Sequence, residues 1–204
     1  MKILLSLLLI GFSGVLRAQS GELWFSGGAS ILANRNIGSP FPDGQPGDVR
    51  LADGFRVGLR FAFNSSGHIG HEIQYAYNRT NVMDVTGAVL GDTGSAGMAI
   101  HQGGYNLLYY FRAMSEDLKV RPFVTGGLHV SDSVLPGSAA LTRTSFKAGF
   151  NAGAGVKVRI STLFALRFDL RQYETGKPNW GGVLVNQGGL LHQTEASAGI
   201  GIYF

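Results

Sequence analysis

Eight stretches of this sequence alternate apolar and polar residues over about ten positions or more, and this alternation limits the fold more than any other feature. In the stretch DGFRVGLRFAFN, for example, Phe55, Val57 and Leu59 fall on one side, whereas Arg56 and Arg60 fall on the other. Successive side chains of a β-strand point to opposite faces, so each stretch predicts a strand with one apolar face. The predicted strands cover residues 21–32, 53–64, 68–79, 99–112, 119–131, 144–159, 162–174 and 191–204. No stretch repeats apolar residues at helical spacing for three turns, so an all-β fold is expected.

The connections between these strands alternate in length. They are short after the second, fourth and sixth strands, where the sequence reads SSG near Ser65, MSEDL near Glu116 and little more than Ile160 and Ser161. The other connections are long and rich in Gly, Pro, Asn and Asp, as in NRNIGSPFPDGQPGDVR and GKPNWGGVLVNQGG. Short and long loops therefore lie at opposite ends, which predicts that residues 21–204 form a single eight-stranded antiparallel up-and-down β-barrel.

Glycines and charged residues share the polar faces, and this combination decides which way the apolar faces point. A soluble barrel would turn its charged face to water and fill its interior with Phe and Tyr. Small residues such as Gly58, Gly149 and Gly153 beside long charged side chains suit instead the narrow interior of an eight-stranded barrel. Aromatic residues also gather near both ends of the strands, with Trp24 assigned to one belt and Tyr173 to the other. The sequence therefore predicts a transmembrane barrel with lipid-facing apolar faces.

The first 20 residues read as a secretory signal peptide. Lys2 precedes an apolar run from Ile3 to about Leu16, and small residues follow around Ala18 and Ser20. A membrane-anchoring helix is the alternative, but the run is shorter than the roughly 18–20 apolar residues that a span needs. We therefore expect residues 1–20 to be removed and residues 21–204 to form the mature domain.

Charge and cysteine content exclude several classes of function. The predicted signal segment holds Lys2 and Arg17 and no acidic residue. Without it, the chain keeps 15 of its 17 Lys and Arg residues against 13 Asp and Glu residues, so its net charge is small. Without a clustered basic stripe, a nucleic-acid partner is not expected. The sequence has no cysteine, which excludes disulfides, a thiol nucleophile and the lipid-modified cysteine of a lipoprotein.

Two segments carry a resemblance to a known family. The final segment ASAGIGIYF alternates Ala198, Ile200, Ile202 and Phe204, and the segment RPFVTGGLHV covers residues 121–130. With these segments the chain resembles, over the whole of 21–204, the small outer-membrane barrels typified by the transmembrane domain of OmpA. The resemblance implies a place in the bacterial outer membrane after export across the inner membrane, with lipid and lipopolysaccharide as neighbours. It also implies that the barrel-assembly machinery reads the last strand. The peptidoglycan-binding domain of OmpA is not found in this sequence, so that function is not expected.

Enzymatic and metal-binding candidates are weak. His129 and Ser131 share a strand face, which resembles the His-x-Ser pair of the outer-membrane lipid A deacylase. However, both are assigned to the interior, and the following strand, 144–159, holds no Asp or Glu to orient the histidine. His68 and His71 fall on opposite strand faces, and Glu116 with Asp117 falls in a turn. We expect no enzyme activity, no metal site and no cofactor.

The interior is the remaining candidate site. The residues assigned to a lumen ion-pair network are Arg56, Arg60, Glu72, Arg112, Lys147, Arg167, Asp169, Arg171 and Glu195. Buried charges are tolerated when they are paired, so the favoured interpretation is a salt-bridge plug that closes the barrel. The chain would then be a structural or surface-interaction protein whose four long loops bind a ligand that the sequence does not identify. The alternatives are a narrow, porin-like channel with mild anion preference and a lipid A-modifying enzyme.

Overall fold

Ten β-strands make up the fold. A computed structural model of the chain describes residues 20–45, 47–65, 67–113, 119–134, 144–180, 183–185 and 188–204. The strands are β1 (Ser20–Ala33), β2 (Asn36–Gly38), β3 (Val49–Leu51), β4 (Gly54–Asn64), β5 (Ile69–Asp84), β6 (Gly94–Tyr110), β7 (Val120–Val134), β8 (Thr144–Arg159), β9 (Phe164–Gly176) and β10 (Leu190–Tyr203). Within the described ranges, no helix has the length and apolar character needed to cross a bilayer.

Eight of these strands close into an antiparallel barrel. Around the barrel they are hydrogen-bonded side by side in the order β4, β5, β6, β7, β8, β9, β10 and β1, and β1 returns to β4. The first and last strands, β1 and β10, are paired along most of their length, with Leu23 opposite Ile202. On its other side, β1 pairs with β4. The predicted all-β, eight-stranded antiparallel barrel is therefore confirmed.

The structure differs from the sequence prediction in the first long loop. This loop contains two additional short strands, β2 and β3, and β3 pairs with the outer end of β5. Its strand β3 is only three residues long, too short for alternation to be recognised against the surrounding Gly and Pro. Strands β5 and β6 are also longer than predicted and remain paired as far as Asp84 and Gly94.

The two faces of the wall differ as the alternation predicts. Apolar side chains on the outside are exposed, with Leu128 71% and Phe146 70% accessible, whereas the interior arginines Arg60 and Arg171 are each 1% accessible. Hydrogen-bonded turns close the short-loop end between β4 and β5 and between β8 and β9. The predicted turn at residues 114–118, with Glu116 and Asp117, lies outside the described residues, as does the predicted signal peptide up to residue 19. Ser20 is the first residue of β1.

Two aromatic residues assigned to the outer belts lie inside the barrel instead. Trp24 and Tyr173 are both 0% accessible. Trp24 follows Glu22 at a spacing of two, so the pleat places it on the same inner face, and Gly201 of β10 leaves room for its indole ring. Outward aromatic pairs do lie at the short-loop end, where the Phe61 and Phe204 rings stack 5.8 Å apart.

Candidate functional site: a charged lumen beneath an apolar cap

A cluster of ion pairs fills the middle of the barrel. On β9, Asp169 lies between Arg167 and Arg171, with Arg167 Nε 2.7 Å from Asp169 Oδ2 and Arg171 Nη2 3.0 Å from Asp169 Oδ1. Across the lumen, Glu72 of β5 accepts hydrogen bonds from Arg167 Nη1 at 2.5 Å and Arg171 Nη2 at 2.9 Å. Two carboxylates thus share two arginines, which ties β5 to β9 through the interior.

Arg60 joins this cluster to a second one. Its Nη1 lies 3.5 Å from Asp169 Oδ2, and its Nη2 donates to Glu195 of β10. Arg56 Nε lies 3.1 Å from Glu195 Oε2, and the hydroxyl of Tyr173 donates to the same oxygen at 2.8 Å. Because Arg60 contacts both clusters, seven charged side chains from four strands form one continuous network.

A smaller layer closes the lumen toward the short-loop end. Lys157 of β8 pairs with Glu22 and donates to the hydroxyl of Tyr110 at 2.7 Å. Trp24 Nε1 donates to Glu22 Oε2 at 2.7 Å, and Asn64 Nδ2 donates to Glu22 Oε1 at 2.7 Å. Lys157, Glu22 and Trp24 are all 0–1% accessible, so this layer forms a tight lower closure.

Amide side chains form a layer on the other side of the network. Gln193 Nε2 donates to Asn78 Oδ1 at 2.9 Å and to Ser30 Oγ at 2.7 Å. Gln102 Nε2 donates to Gln193 Oε1 at 2.9 Å, and Gln102 Oε1 accepts from Arg56 Nη1. Neutral hydrogen bonds therefore span the lumen above the charges.

An apolar cap covers the long-loop end of the lumen. The cap consists of Leu32, Ile37, Val49, Leu51, Val82, Val89, Met98, Ile100, Trp180, Leu184 and Leu191, all at most 5% accessible. Loop residues supply much of it, and the Trp180 Nε1 donates to the Ser133 carbonyl at 2.9 Å. Because these side chains shield one another from water, the described parts of the loops after β1, β5 and β9 form one packed layer.

Two aspartates and a lysine hold the loops in place around this cap. The carboxylate of Asp84 accepts hydrogen bonds from the backbone N–H groups of Thr86, Gly87, Val89 and Leu90. Asp48 accepts from Ser39 Oγ at 2.7 Å and from the Gln45 N–H at 2.9 Å. Lys177 donates to the Asn36 carbonyl at 2.7 Å, and burial lowers the pKa of its amine.

The structure places two of the predicted network residues elsewhere. Arg112 is exposed, beyond the end of β6, and does not belong to the interior; its carbonyl accepts a hydrogen bond from Arg121 Nε at 3.2 Å. Lys147 is half-buried near the outer end of β8, where its aliphatic chain passes over Gly176, and it forms no ion pair among the described residues. The strand assignments placed both on the polar face, but both lie too far along the barrel axis to reach the carboxylates.

Sequence reasoning missed several residues that close the lumen. Glu22, Tyr110 and Lys157 were not assigned to it, although Lys157 pairs with Glu22. Arg121 was also missed: its guanidinium lies 3.4 Å from the centroid of the Tyr110 ring. Glu22 and Trp24 are two residues apart on one strand and so share a face. An inward assignment of Trp24 would therefore have placed Glu22 in the lumen as well.

His129 and Ser131 face the interior and are both 3% accessible. His129 Nε2 lies 2.7 Å from the hydroxyl of Thr175, while neither His129 Nδ1 nor the Ser131 hydroxyl has a hydrogen-bond partner among the described residues. The two side chains are therefore not hydrogen-bonded to each other. The described part of the chain contains no cluster of three or more His, Cys, Asp or Glu able to hold a metal ion.

The C-terminal residues predicted as an assembly signal form the outer edge of the seam between β10 and β1. Ala198, Ile200 and Phe204 point outward, with Phe204 67% accessible. The Phe204 N–H donates to the Gly21 carbonyl at 3.0 Å, and the Gly21 N–H donates back at 2.8 Å. Ile202 pairs with Leu23 and is half-buried.

A closed antiparallel barrel with an apolar outer wall and a polar interior defines a class, the transmembrane β-barrels of outer membranes. The comparison with protein families agrees: the outer membrane protein beta-barrel domain matches residues 4–204. The chain therefore belongs to this family of bacterial outer-membrane proteins. No curated protein matches it.

Solved structures share the fold at low sequence identity. The N-terminal barrel of Pseudomonas aeruginosa OprF aligns with a TM-score of 0.54 and 16% identity, covering 91% of this chain and 97% of OprF's solved chain. Neisserial surface protein A aligns with a TM-score of 0.57 and 16% identity, covering 92% of this chain and 100% of its own solved chain. Ail of Yersinia pestis, solved with the heparin analogue sucrose octasulfate, aligns with a TM-score of 0.55 and 10% identity, covering 92% of this chain and 100% of the solved Ail chain. At these identities the likeness establishes the fold.

Proposed function

We propose that this outer-membrane barrel is closed and serves as a structural and surface-interaction protein rather than an enzyme. The observation that carries the proposal is the apolar cap. Its eleven buried side chains pack the described parts of the loops after β1, β5 and β9 into one layer, which presents a defined surface at the outer end. Exposed side chains such as Phe41 and Val85 project from this layer. A preformed surface costs a partner little ordering entropy.

The paired interior supports a closed barrel. The network, the lower closure and the apolar cap follow one another along the lumen, and an ion would have to displace all three. A narrow pore is the second candidate, and the charge balance sets the ion preference that it would have. Four arginines, Arg56, Arg60, Arg167 and Arg171, meet only three carboxylates, so an opened lumen would prefer anions.

The position of His129 and Ser131 argues against lipid A modification. A barrel that acts on a lipid must present its nucleophile to the membrane, but both side chains point into a sealed interior. Lipid A from cells that express the wild type should match lipid A from cells that express Ser131→Ala when both are compared by mass spectrometry. Loss of an acyl chain in the wild type alone would identify the chain as an enzyme.

The remaining partners are proposed on the basis of family membership. We propose export across the inner membrane by the segment 1–20, insertion by the barrel-assembly machinery through the strand that ends at Phe204, and lipopolysaccharide as the outer-leaflet neighbour. The alternation of Ala198, Ile200 and Phe204 on the outer face supports the second of these steps.

Cysteine labelling tests whether the cap is displayed outside the cell. Because the sequence has no cysteine, single replacements can be labelled without background. Val85→Cys should react with a membrane-impermeant maleimide on intact cells. Arg112→Cys, exposed at the opposite end, should react only after the outer membrane is permeabilised. The reverse pattern would contradict the proposed surface role.

A further inference from the structure

The outer wall has a groove at the seam between the first and last strands. It has a volume of about 640 Å³ and crosses β5, β4, β1 and β10. Its lining is apolar and aromatic: Phe25, Val57, Leu59, Tyr75, Tyr77 and Ile200. The groove has depth because its floor carries small side chains: Ala198 lines it, and the exposed Gly27 lies in the wall between the lining residues Ala198 and Val57, with open space above it. The groove faces the hydrocarbon region of the membrane.

The aromatic end of the groove is held in place. The Tyr75 hydroxyl lies 2.7 Å from His101 Nδ1, and the ring of Tyr77 packs edge-on against the same histidine at 5.4 Å. These contacts join β5 to β6 on the outer face. The groove therefore keeps its shape without a ligand, which reduces the entropy cost of filling it.

A cation lies just beyond this end. Arg79 is two residues farther along β5 than Tyr77, on the same outward face, and is exposed. A side chain at Gly97 would collide with the Arg79 guanidinium, so this glycine lets the arginine lie against β6. Arg50 is exposed on β3, nearer the loops. In the described part of the chain, neither arginine forms an ion pair with a carboxylate, so both remain available to an anion.

Building on the proposed position of the barrel beside lipopolysaccharide, we propose that this groove binds one acyl chain of a phosphorylated lipid of the outer leaflet, with the lipid phosphate at Arg79. The groove lies in the apolar belt, where hydrocarbon chains are the surrounding solvent, and the arginine lies toward the long loops, where headgroups begin. An apolar trough that ends at an unpaired guanidinium matches a molecule with a hydrocarbon chain below a phosphate.

The test measures lipid retention by the full-length barrel. Purified protein is incubated in mild detergent with bis-phosphorylated lipid A or with its dephosphorylated form, and bound lipid is counted by native mass spectrometry. Gly27→Leu fills the floor of the groove, and Arg79→Gln removes the cation. Gly126→Leu is the matched control, because Gly126 is also an outward glycine with room for a side chain, on β7. Arg112→Gln controls for the loss of an exposed arginine.

The wild type should retain the phosphorylated lipid, and Arg79→Gln should lower its affinity about fivefold without changing that of the dephosphorylated form. Gly27→Leu should lower the affinity for both lipids, and the two controls should behave as the wild type. Each variant is first checked for heat-modifiable migration, which reports a folded barrel. If folded Gly27→Leu or folded Arg79→Gln retains the phosphorylated lipid at the wild-type level, the proposal is wrong.

Discussion

Arg60 Nη1 on β4 lies 3.5 Å from Asp169 Oδ2 on β9, and this contact crosses the lumen between strands that are not neighbours in the wall. Strands β4 and β9 are separated on one side by β1 and β10. The contact therefore adds a cross-brace that backbone hydrogen bonds cannot supply, and it links the pairs around Glu72 to those around Glu195.

Asp169→Ala should destabilise the barrel strongly. The change leaves Arg60, Arg167 and Arg171 in a buried site without their shared carboxylate, and removing one partner of a buried pair costs about 3–5 kcal/mol. Urea unfolding in lipid vesicles measures the loss. Arg35→Gln, which breaks the half-exposed pair between Arg35 and Asp53, is the control and should cost about 0–1 kcal/mol. Equal effects of the two changes would show that the lumen is wet.

The lower closure should behave as a coupled pair. Lys157→Met leaves Glu22 buried without its cation, and Glu22→Gln leaves Lys157 without its anion, so each change should destabilise the barrel. The double variant removes both charges and should be more stable than the sum of the single changes predicts, by about 1–3 kcal/mol. Urea unfolding of the wild type, the two single variants and the double variant completes this double-mutant cycle. Strict additivity would mean that Lys157 and Glu22 do not interact in the folded barrel.

Trp180→Ala should loosen the cap but leave the barrel folded. Trp180 is fully buried and donates to the Ser133 carbonyl, and truncation of a buried tryptophan costs about 3–5 kcal/mol. Limited proteolysis should cut the loops of this variant faster, while its heat-modifiable migration stays unchanged. Val85→Ala, at a 55% accessible loop position, is the control. Resistance equal to the wild type would show that the loops do not depend on the cap.

Phe204→Ala should impair assembly more than stability. The change keeps both backbone hydrogen bonds to Gly21, and the ring is 67% accessible, so the main effect is expected in recognition by the assembly machinery. Pulse-chase labelling should show slower formation of the heat-modifiable form, with degradation of unassembled chain. Phe164→Ala removes another exposed aromatic residue, on the neighbouring strand β9, and should assemble normally. Normal kinetics of Phe204→Ala would remove the basis for the proposed signal.

Alternation predicted the barrel and the faces of its strands because the pleat fixes side-chain direction with a period of two. It could not predict partners. Glu72 and Arg167 are 95 residues apart, and the hydrogen bond between them depends on closure of the barrel and on the stagger of its strands. For the same reason, alternation does not give the position of a residue along the barrel axis. Arg112 was therefore assigned to the lumen, although it lies beyond the end of β6.

The cap was missed for a different reason. Ile37, Val49 and Val89 lie among Gly, Pro, Asn and Asp residues, where isolated apolar positions carry no periodic signal. They form a core only because the barrel brings the loops after β1, β5 and β9 to the same end. Trp24 and Tyr173 were misplaced because their aromatic character favoured an interface, whereas their parity along the strand placed them inside.

Conductance of the purified barrel in planar lipid bilayers tests the central claim, that the charged lumen is closed. The network, the lower closure and the cap predict that the wild type shows no steady open channel at either polarity. Asp169→Ala, which breaks the network, should instead show openings that prefer anions, because the arginines then outnumber the carboxylates further. Steady, anion-preferring conduction by the wild type, with Asp169→Ala altering that preference but not the stability of the barrel, would contradict the plug and establish a pore.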